Sequence, residues 1–233
     1  MYKNKKILAV ISARGGSKGI KKKNLSHLGG KPLISYSIEE SKFSKYVDHL
    51  IVSTDSEEIK KVSKNFGCEV PFLRPKHLSG DSSKSIDLIR HASKFYKGYF
   101  DYIVLLQPTS PFRISKDIDK CIKLCVDRKV SSVTTISENN KNLQWMFYLQ
   151  KEKLLPVLKL KKMPTRRQDT KKTYTLNGSV YVIDKNFLSK DLVNSDTLGV
   201  KIPELRSLDI DEEIDLEFAN FLFMKNRVDG RFK

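Results

Sequence analysis

Three short segments of almost entirely apolar residues occur along the chain, and each is followed by polar residues rich in glycine, serine or proline. The segments cover residues 7–11, 49–53 and 102–106. Aliphatic side chains at consecutive positions, rather than at every second position, are typical of strands that are buried on both faces of a parallel sheet. We therefore predict three central strands at these positions.

Helical patterns separate these strands from one another and from further apolar segments. We predict helices over residues 32–45, 56–67, 83–96, 115–128 and 212–225, and additional strands over 68–72, 130–136 and 178–183. Strands that alternate with helices predict right-handed crossovers and an α/β fold with a mostly parallel sheet. Ligands bind beyond the carboxyl ends of the strands in such sheets, which selects residues 12–24, 53–55 and 107–113.

The alternation stops at residues 139–175, which are polar and basic apart from an apolar island at 145–148. No crossover helix is evident there. We expect a small β-rich excursion that covers the site or pairs with a second subunit. The length of 233 residues fits one domain spanning 1–233 better than two full domains.

The net charge of +17 is concentrated in two segments. Residues 1–31 hold nine Lys and Arg with no acid, and residues 151–172 hold nine with two acids, so the rest of the chain is almost balanced. Two local basic patches indicate anionic small molecules or one groove for a polyanion. The apolar segments are shorter than a membrane span, and the three cysteines have no metal-like spacing. We expect a cytoplasmic protein with reduced, buried thiols and no membrane partner.

The first predicted strand leads into Ser12-Ala13-Arg14-Gly15-Gly16-Ser17-Lys18-Gly19, followed shortly by Lys23 and Asn24. Glycines let the backbone approach a ligand, and Arg and Lys neutralise phosphate oxygens. The spacing matches neither a Walker A loop nor a dinucleotide-binding fingerprint. The loop therefore predicts a phosphate cradle, and the alternative is a tight turn with ordinary surface lysines.

Three further segments carry candidate chemistry. Asp209-Ile210-Asp211 would point two carboxylates the same way if extended, which suits Mg²⁺, although Asp211 could instead cap the helix that follows. Residues 107–113 contain two prolines just beyond a buried strand, where polar side chains can face a ligand or simply form a rigid loop. Thr165-Arg166-Arg167-Gln168 is either a binding segment or a solvated run of charge.

Taken in order, these segments resemble the motifs of the acylneuraminate cytidylyltransferases, the CMP-sialic acid synthetase family. The segments that carry the resemblance are Ile11 to Ile20 with Lys23-Asn24-Leu25, Gly30-Lys31-Pro32-Leu33-Ile34, Val52-Ser53-Thr54-Asp55-Ser56-Glu57, Phe72-Leu73-Arg74-Pro75, Leu105-Leu106-Gln107-Pro108-Thr109-Ser110-Pro111, Asn177-Gly178-Ser179-Val180-Tyr181 and Asp209-Ile210-Asp211. The resemblance covers nearly the whole chain. It implies a Rossmann-like fold, a homodimer, and the reaction of CTP with a nine-carbon 2-keto acid sugar to give the CMP-sugar and pyrophosphate.

The resemblance also implies a role for each residue that matches a motif. The implied catalytic residues are Arg14, Lys23 and Asp211, and Asp209 and Asp211 would hold Mg²⁺. The implied nucleotide-binding residues are Ala13, Arg14, Gly15, Gly16, Ser17, Lys18, Lys23, Asn24, Arg74, Asp81, Ser82 and Ser83. The implied sugar-binding residues are Gln107, Arg167, Asn177 and Tyr181, with Arg167 reaching from the partner subunit through the excursion at 139–175.

The chain departs from the family pattern on the sugar side. Thr175-Leu176-Asn177-Gly178 stands where some members have Arg-Pro-Asn-Gly, and Asn139-Asn140-Lys141-Asn142 replaces a His-Pro stretch. Legionaminic acid is therefore as plausible a substrate as N-acetylneuraminic acid. Two alternatives remain: a synthetase for the eight-carbon sugar Kdo, and a basic nucleic-acid-binding module. The basic segments contain almost no interleaved aromatics, which argues against the module, so we expect no nucleic-acid partner.

Overall fold

A mixed sheet of six strands forms the centre of the protein in the computed structural model. The structure describes residues 1–159, 163–189 and 191–225, and the side chain of Arg167 lies outside the described part. The six strands are β1 (Ile7–Ser12), β4 (His49–Ser53), β5 (Tyr102–Leu106), β6 (Ser132–Glu138), β9 (Tyr174–Asp184) and β10 (Leu198–Lys201). Their order across the sheet is β10-β6-β9-β5-β1-β4.

The sheet is mostly parallel, as the alternation of strands and helices predicts. β1 pairs in parallel with both β4 and β5, and β10 pairs in parallel with β6. β9 is the exception, because it runs antiparallel between β5 and β6. The predicted Rossmann-like α/β class is therefore confirmed.

The described residues form five α-helices. They are α1 (Leu33–Phe43), α2 (Glu57–Asn65), α3 (Ser85–Phe95), α4 (Ser115–Arg128) and α5 (Glu213–Met224). Helices α1, α2 and α4 pack in the hydrophobic cluster on one face, and α3 packs on the other. β1 supplies side chains to both faces, since Ile7, Ala9 and Ile11 belong to the first cluster and Leu8 and Val10 to the second. Within the described residues, no helix is both long and apolar enough to cross a membrane.

In the part of the chain that the structure describes, two short hairpins lie outside the central sheet. The first joins β2 (His27–Leu28) to β3 (Lys31–Pro32), and it packs against α5 in a third hydrophobic cluster that includes Leu28, Ile210 and Leu222. The second joins β7 (Phe147–Gln150) to β8 (Lys153–Pro156), within the excursion predicted at 139–175. Every residue of β7 and β8 is exposed to solvent.

The predicted strand at 68–72 is wrong. This segment makes only isolated bridges, between Glu69 and Ile51 and between Leu73 and Thr54. Pro71 lies between these bridges and has no N–H to donate, so a continuous ladder does not form beside β4. Strand β10 was not predicted, because its four residues alternate in exposure and include a glycine.

Candidate active site

A cleft of about 630 Å³ opens at the carboxyl ends of β1 and β5. This is the edge at which parallel sheets bind ligands. Most of the predicted site residues line it: Arg14, Gly16, Ser17, Lys18, Lys23, Asn24, Arg74, Asp81, Ser83, Gln107, Asp209 and Asp211. Segments that are separated by up to about two hundred positions in the chain therefore converge on one cavity.

The loop after β1 is held in shape by its own polar groups. The Gly15 N–H donates to Asp55 Oδ1 at 2.8 Å, at the end of the neighbouring strand β4. Ser17 Oγ donates to the Ile20 carbonyl at 2.5 Å and accepts from the Lys23 N–H at 3.2 Å. Asn24, which is buried, donates from Nδ2 to the Arg14 carbonyl at 2.9 Å. These bonds give a defined frame to the loop that carries Arg14, Lys18 and Lys23.

The loop also lies directly against the Asp209–Asp211 segment. A Cβ placed on Gly19 would come within 2.1 Å of the Asp211 carbonyl oxygen, whereas a Cβ on Gly16 would meet no described atom within 4 Å. Position 19 therefore requires glycine for the two segments to meet. This contact brings the predicted phosphate cradle and the predicted metal ligands to the same side of the cleft.

Three cations of the cleft, Arg14, Lys18 and Lys23, are paired with acids. Arg14 Nη1 and Lys18 Nζ contact the two oxygens of Asp81 at 2.5 and 2.9 Å. The hydrogen bonds from Lys18 and Arg14 hold the pKa of Asp81 below its ordinary value. Lys23 Nζ contacts Asp211 Oδ1 at 2.7 Å. Three cations that converge in this way suit a polyphosphate, whose oxygens can replace the carboxylates.

Arg74 forms part of the wall of the cleft beneath the loop. The residue is only 5% exposed, and its guanidinium donates to Ser79 Oγ at 3.1 Å and to Ser12 Oγ at 3.2 Å. Its backbone N–H donates to the Thr54 carbonyl at 2.7 Å. Burial lowers the pKa of Arg74, but an arginine remains protonated in proteins. The group is thus a positioned donor for acceptor atoms of a ligand.

Asp209 has an environment that fits a bound cation. Its Oδ1 is buried and has no hydrogen-bond partner among the described residues. Burial raises the pKa of Asp209, against a hydrogen bond from Thr109 that lowers it. A buried carboxylate oxygen without a partner is costly unless a cation or proton satisfies it. Asp209 and Asp211 therefore fit a divalent cation with oxygen ligands, and the described residues contain no group of three or more His, Cys, Asp or Glu that could hold a metal by itself.

The alternative that Asp211 caps the following helix is wrong. The N-cap of α5 is Glu212, and the side chain of Asp215 accepts from the N–H groups of Asp211 and Glu212 at 3.0 and 2.8 Å. Asp211 Oδ1 instead contacts Lys23. The Asp211 side chain is 71% exposed and therefore accessible to a ligand in the cleft.

Among the residues predicted to bind the sugar, Gln107 lines the cleft, whereas Asn177 and Tyr181 lie beside it. Gln107 lines the cleft and lies over Gly178, which has φ +70° and where a Cβ would come within 2.5 Å of Gln107 Oε1. Asn177 and Tyr181 are not among the described residues that line the cleft. Asn177 accepts from Thr135 Oγ1 at 2.6 Å and donates to Ser207 Oγ at 3.3 Å. Tyr181 packs beside the α3 cluster, where burial and nearby Asp209 raise its pKa.

Four other predicted residues have different placements. Ala13 is fully buried in the core, and Gly15 faces Asp55. Ser82 is exposed on the loop before α3 but does not belong to the described lining. The side chain of Arg167 lies outside the described residues. The roles of all four stay predictions.

The structure adds lining residues that the sequence reasoning did not identify. They are Leu78, Ser79, Gly80, Lys84, Ser85, Leu88 and Glu212. Five of the seven lie within four positions of Asp81, on the segment that leads into α3. The Ser79-Gly80 pair, which is typical of a turn, was the one local signal that this segment folds back over the site.

Comparison with known proteins identifies the same chemistry. A family model described as cytidylyltransferase matches residues 8–197. The chain is 34% identical to post-translational flagellin modification protein B of Campylobacter coli, over 97% of this chain and 98% of that protein. It is also 34% identical to two proteins of Campylobacter jejuni: a pseudaminic acid cytidylyltransferase (95% of this chain, 97% of that protein) and a CMP-N,N'-diacetyllegionaminic acid synthase (94% and 96%).

Solved structures agree on the fold. A CMP:2-keto-3-deoxy-manno-octonic acid synthetase complexed with CTP superposes with a TM-score of 0.73 at 15% identity, covering 95% of this chain and 99% of that one. At 15% sequence identity, this superposition supports a shared fold and says nothing further about function. The resemblance inferred from the ordered motifs is confirmed by the family match and the full-length relatives. This chain belongs to the cytidylyltransferase family and is a nucleotidyltransferase.

Proposed function

We propose that this protein transfers the cytidylyl group of CTP to the anomeric hydroxyl of a nine-carbon 2-keto acid sugar, with release of pyrophosphate. The observation that carries the proposal is that one cleft is lined both by the cations Arg14, Lys18 and Lys23 and by the carboxylates of Asp209 and Asp211, with Lys23 in contact with Asp211. Relatives named for pseudaminic and legionaminic acid support a sugar of this class.

The reaction needs an anionic donor to be held in line with the sugar oxygen. That oxygen attacks the α-phosphorus, the bond from the α-phosphorus to the oxygen bridging the β-phosphorus breaks, and the hydroxyl proton is released to solvent. Arg14, Lys18 and Lys23 would bind phosphate oxygens and neutralise charge on the departing pyrophosphate. Asn24, Arg74 and the loop at 81–83 would orient the cytidine.

Asp209 and Asp211 are the residues that would hold Mg²⁺, which, when bound, would neutralise charge on the α- and β-phosphates. Lys23 links the two parts of the site, since its Nζ already contacts Asp211. In the complex Lys23 would be shared between that carboxylate and the phosphates. Positioning and charge compensation then supply most of the rate enhancement, as is usual for phosphoryl and nucleotidyl transfer.

The sugar site would be completed by a second subunit. The excursion at 139–175 projects large apolar side chains into solvent, including Trp145, Tyr148, Leu149 and Leu154. Exposed apolar groups on a projecting hairpin favour a protein interface. We infer a homodimer in which this excursion places Arg167 beside the sugar carboxylate of the partner's cleft, with the chain acting as a single catalytic domain in the cytoplasm.

The test is pyrophosphate release from CTP with a panel of purified acidic sugars: neuraminic, legionaminic and pseudaminic types, and the eight-carbon Kdo. We expect Mg²⁺-dependent release with one or more nine-carbon acids and the matching CMP-sugar in the product. The reaction should fail with ATP, GTP or UTP in place of CTP. Turnover with Kdo alone, or binding of nucleic acid with no response to CTP, would contradict the proposal.

A further inference from the structure

A buried ion pair lies outside the cleft and has no role in the proposed chemistry. Arg206 Nε and Nη2 donate to the two carboxylate oxygens of Asp117, each at 3.1 Å. The Asp117 side chain is fully buried and that of Arg206 is 12% exposed. Two parallel N–H···O bonds fix both the distance and the orientation of the two groups.

The pair joins the two segments that build the metal side of the cleft. Arg206 belongs to a short 3-10 helix, Glu204–Ser207, that leads directly into Asp209 and Asp211. Asp117 lies in the first turn of α4, immediately after the loop at residues 107–113. That loop leaves β5 and supplies Gln107 and Thr109 to the cleft wall.

A second contact connects the same two segments on the other side of Asp209. The Ile210 N–H donates to the Thr109 carbonyl at 2.8 Å, and the Ile210 side chain is fully buried. The segment is thus anchored three residues before Asp209, at Arg206, and one residue after it, at Ile210. Between the anchors, Asp209 keeps a carboxylate oxygen buried with no described hydrogen-bond partner.

Stability alone is a poor explanation for this pair. A buried ion pair costs much of its attraction in desolvation, and apolar side chains of similar volume often stabilise a protein as well. Apolar contacts, however, do not fix the direction of a segment in the way that a bidentate pair does. Groups behind a metal ligand commonly orient it, and their loss costs metal affinity.

We propose that Arg206 and Asp117 are positioning residues that hold Asp209 and Asp211 in the arrangement that binds the divalent cation with CTP. This inference rests on the proposed function, because it assumes that CTP binds in this cleft with a metal. It predicts a specific defect when the pair is removed. The increase in CTP affinity that the metal provides becomes smaller, and CTP affinity without the metal does not change.

The test measures CTP binding by isothermal titration calorimetry with and without Mn²⁺, in the absence of sugar. The ratio of the two dissociation constants gives the metal enhancement. For Arg206→Met we expect this enhancement to fall about 10- to 100-fold, while CTP affinity in EDTA stays within about twofold of wild type. Arg90→Met is the matched control, because Arg90 forms a more exposed pair with Asp87 outside the cleft. It should keep the full enhancement.

The double variant Arg206→Met with Asp117→Asn separates positioning from folding. It removes the unpaired buried charge while an amide oxygen can still accept the Ile114 N–H that Asp117 now accepts at 3.2 Å. We expect it to recover most of the melting temperature lost by Arg206→Met without recovering the metal enhancement.

Two results would overturn the inference: wild-type metal enhancement in folded Arg206→Met, or recovery of both quantities in the double variant. Failure of the proposed function is a different outcome, because wild type itself would then show no CTP binding in either condition.

Discussion

Three cations of the cleft are neutralised by neighbouring carboxylates. Arg14 and Lys18 share Asp81, and Lys23 is paired with Asp211. Pairs of this exposure contribute only about 0–1 kcal/mol each, so a triphosphate can replace the carboxylates at little cost. The pairs keep the long side chains in the cleft and limit repulsion among them. When CTP replaces the carboxylates, Asp211 becomes available to the metal and Asp81 to solvent.

Substitution of Asp211 is the most direct test of the proposed metal ligands. Its side chain is largely exposed, so Asp211→Ala should fold normally. We expect CMP-sugar formation to fall about 10²- to 10³-fold, the usual loss when one electrostatic stabiliser is removed. Turnover at saturating CTP, sugar and Mg²⁺ measures the effect. Asp127→Ala, which removes a carboxylate paired with Lys3 elsewhere on the protein, serves as control. Near-normal turnover of Asp211→Ala would exclude its role as a metal ligand.

At the scale of elements, the site depends on close approach between a glycine loop and an extended segment. The loop follows β1, and residues 209–211 precede α5. These elements contact each other through Gly19, where backbone meets backbone without room for a Cβ. The N-cap arrangement of Glu212 and Asp215 begins α5 immediately beyond the carboxylates. Packing of α5 against the β2–β3 hairpin then holds the segment against the loop.

Gly16 and Gly19, two of the three glycines of the loop, provide a matched pair of variants. Gly19→Ala places a Cβ against the Asp211 carbonyl, so we expect a loss of about 1–3 kcal/mol in the free energy of unfolding and a raised KM for CTP. Gly16→Ala meets open space and should stay within about 0.5 kcal/mol of wild type. Chemical denaturation of both variants measures the difference. Equal stability of the two would mean that the loop and the 209–211 segment do not meet as described.

For the molecule as a whole, charge and apolar surface have separate locations. One basic segment supplies Arg14, Lys18 and Lys23 to the cleft, and the other lies in the excursion at 139–175 together with exposed apolar side chains. Leu149 and Leu154 face each other on the β7–β8 hairpin and are both well exposed. A dimer would cover this apolar surface and bring the second basic segment to a cleft that already holds the first.

The hairpin predicts the oligomeric state. Wild type should have a mass of about twice 26.8 kDa by light scattering. Leu149→Glu with Leu154→Glu should give a monomer, because two carboxylates would have to be buried on association. That variant should retain CTP binding and lose sugar turnover. Phe43→Glu, at another exposed apolar position, should stay dimeric. A dimeric hairpin variant would place the interface elsewhere.

The second basic segment predicts a kinetic effect confined to the sugar. Arg167→Ala should raise the KM for the sugar about 10-fold or more, since hydrogen bonds to charged groups contribute roughly 1.5–3 kcal/mol, and it should leave the KM for CTP nearly unchanged. Arg166→Ala is the control, with the same loss of charge one position earlier. Steady-state kinetics with each substrate varied separately distinguish the cases. A variant weakened only for CTP would contradict the placement.

The three cysteines are reduced and buried, as the sequence predicts. Burial raises the pKa of Cys68 and Cys125 to about 12 and that of Cys121 well above its ordinary value. Because each thiol has a higher pKa in the folded protein than in the unfolded chain, the unfolded chain loses the thiol proton first as the pH rises. The contribution of the thiols to stability is therefore complete below about pH 9 and is lost as the pH rises towards 12. We expect the melting temperature to decline over that range, with a smaller decline in Cys125→Ala. The native thiols should not react with a disulfide reagent at pH 8. Rapid reaction would contradict their burial.

The predicted central strands and the helices between them followed from local pattern. Tyr102–Leu106, for example, was predicted to the residue, because five consecutive apolar side chains are too few for a typical helix and are typical of a strand covered on both faces. The loop at 14–24 and the Asp209–Asp211 pair were also recognisable, since glycine, cation and carboxylate spacing is visible in the chain. Asn177 and Tyr181 could not be placed in this way. Both are on β9, whose antiparallel insertion between β5 and β6 directs them into hydrogen bonds and packing beside the cleft.

From the chain alone one could therefore derive the α/β class and the membership of a nucleotidyltransferase family, and predict the phosphate loop and the metal-binding carboxylates. These properties depend on residue types and short spacings, which a linear sequence contains. Only the tertiary structure decided which cation pairs with which acid, how deeply Asp209 is buried, and how Arg206 and Asp117 anchor the segment that bears it. Such properties arise from contacts between residues far apart in the chain, as between Lys23 and Asp211, and local preference does not encode them.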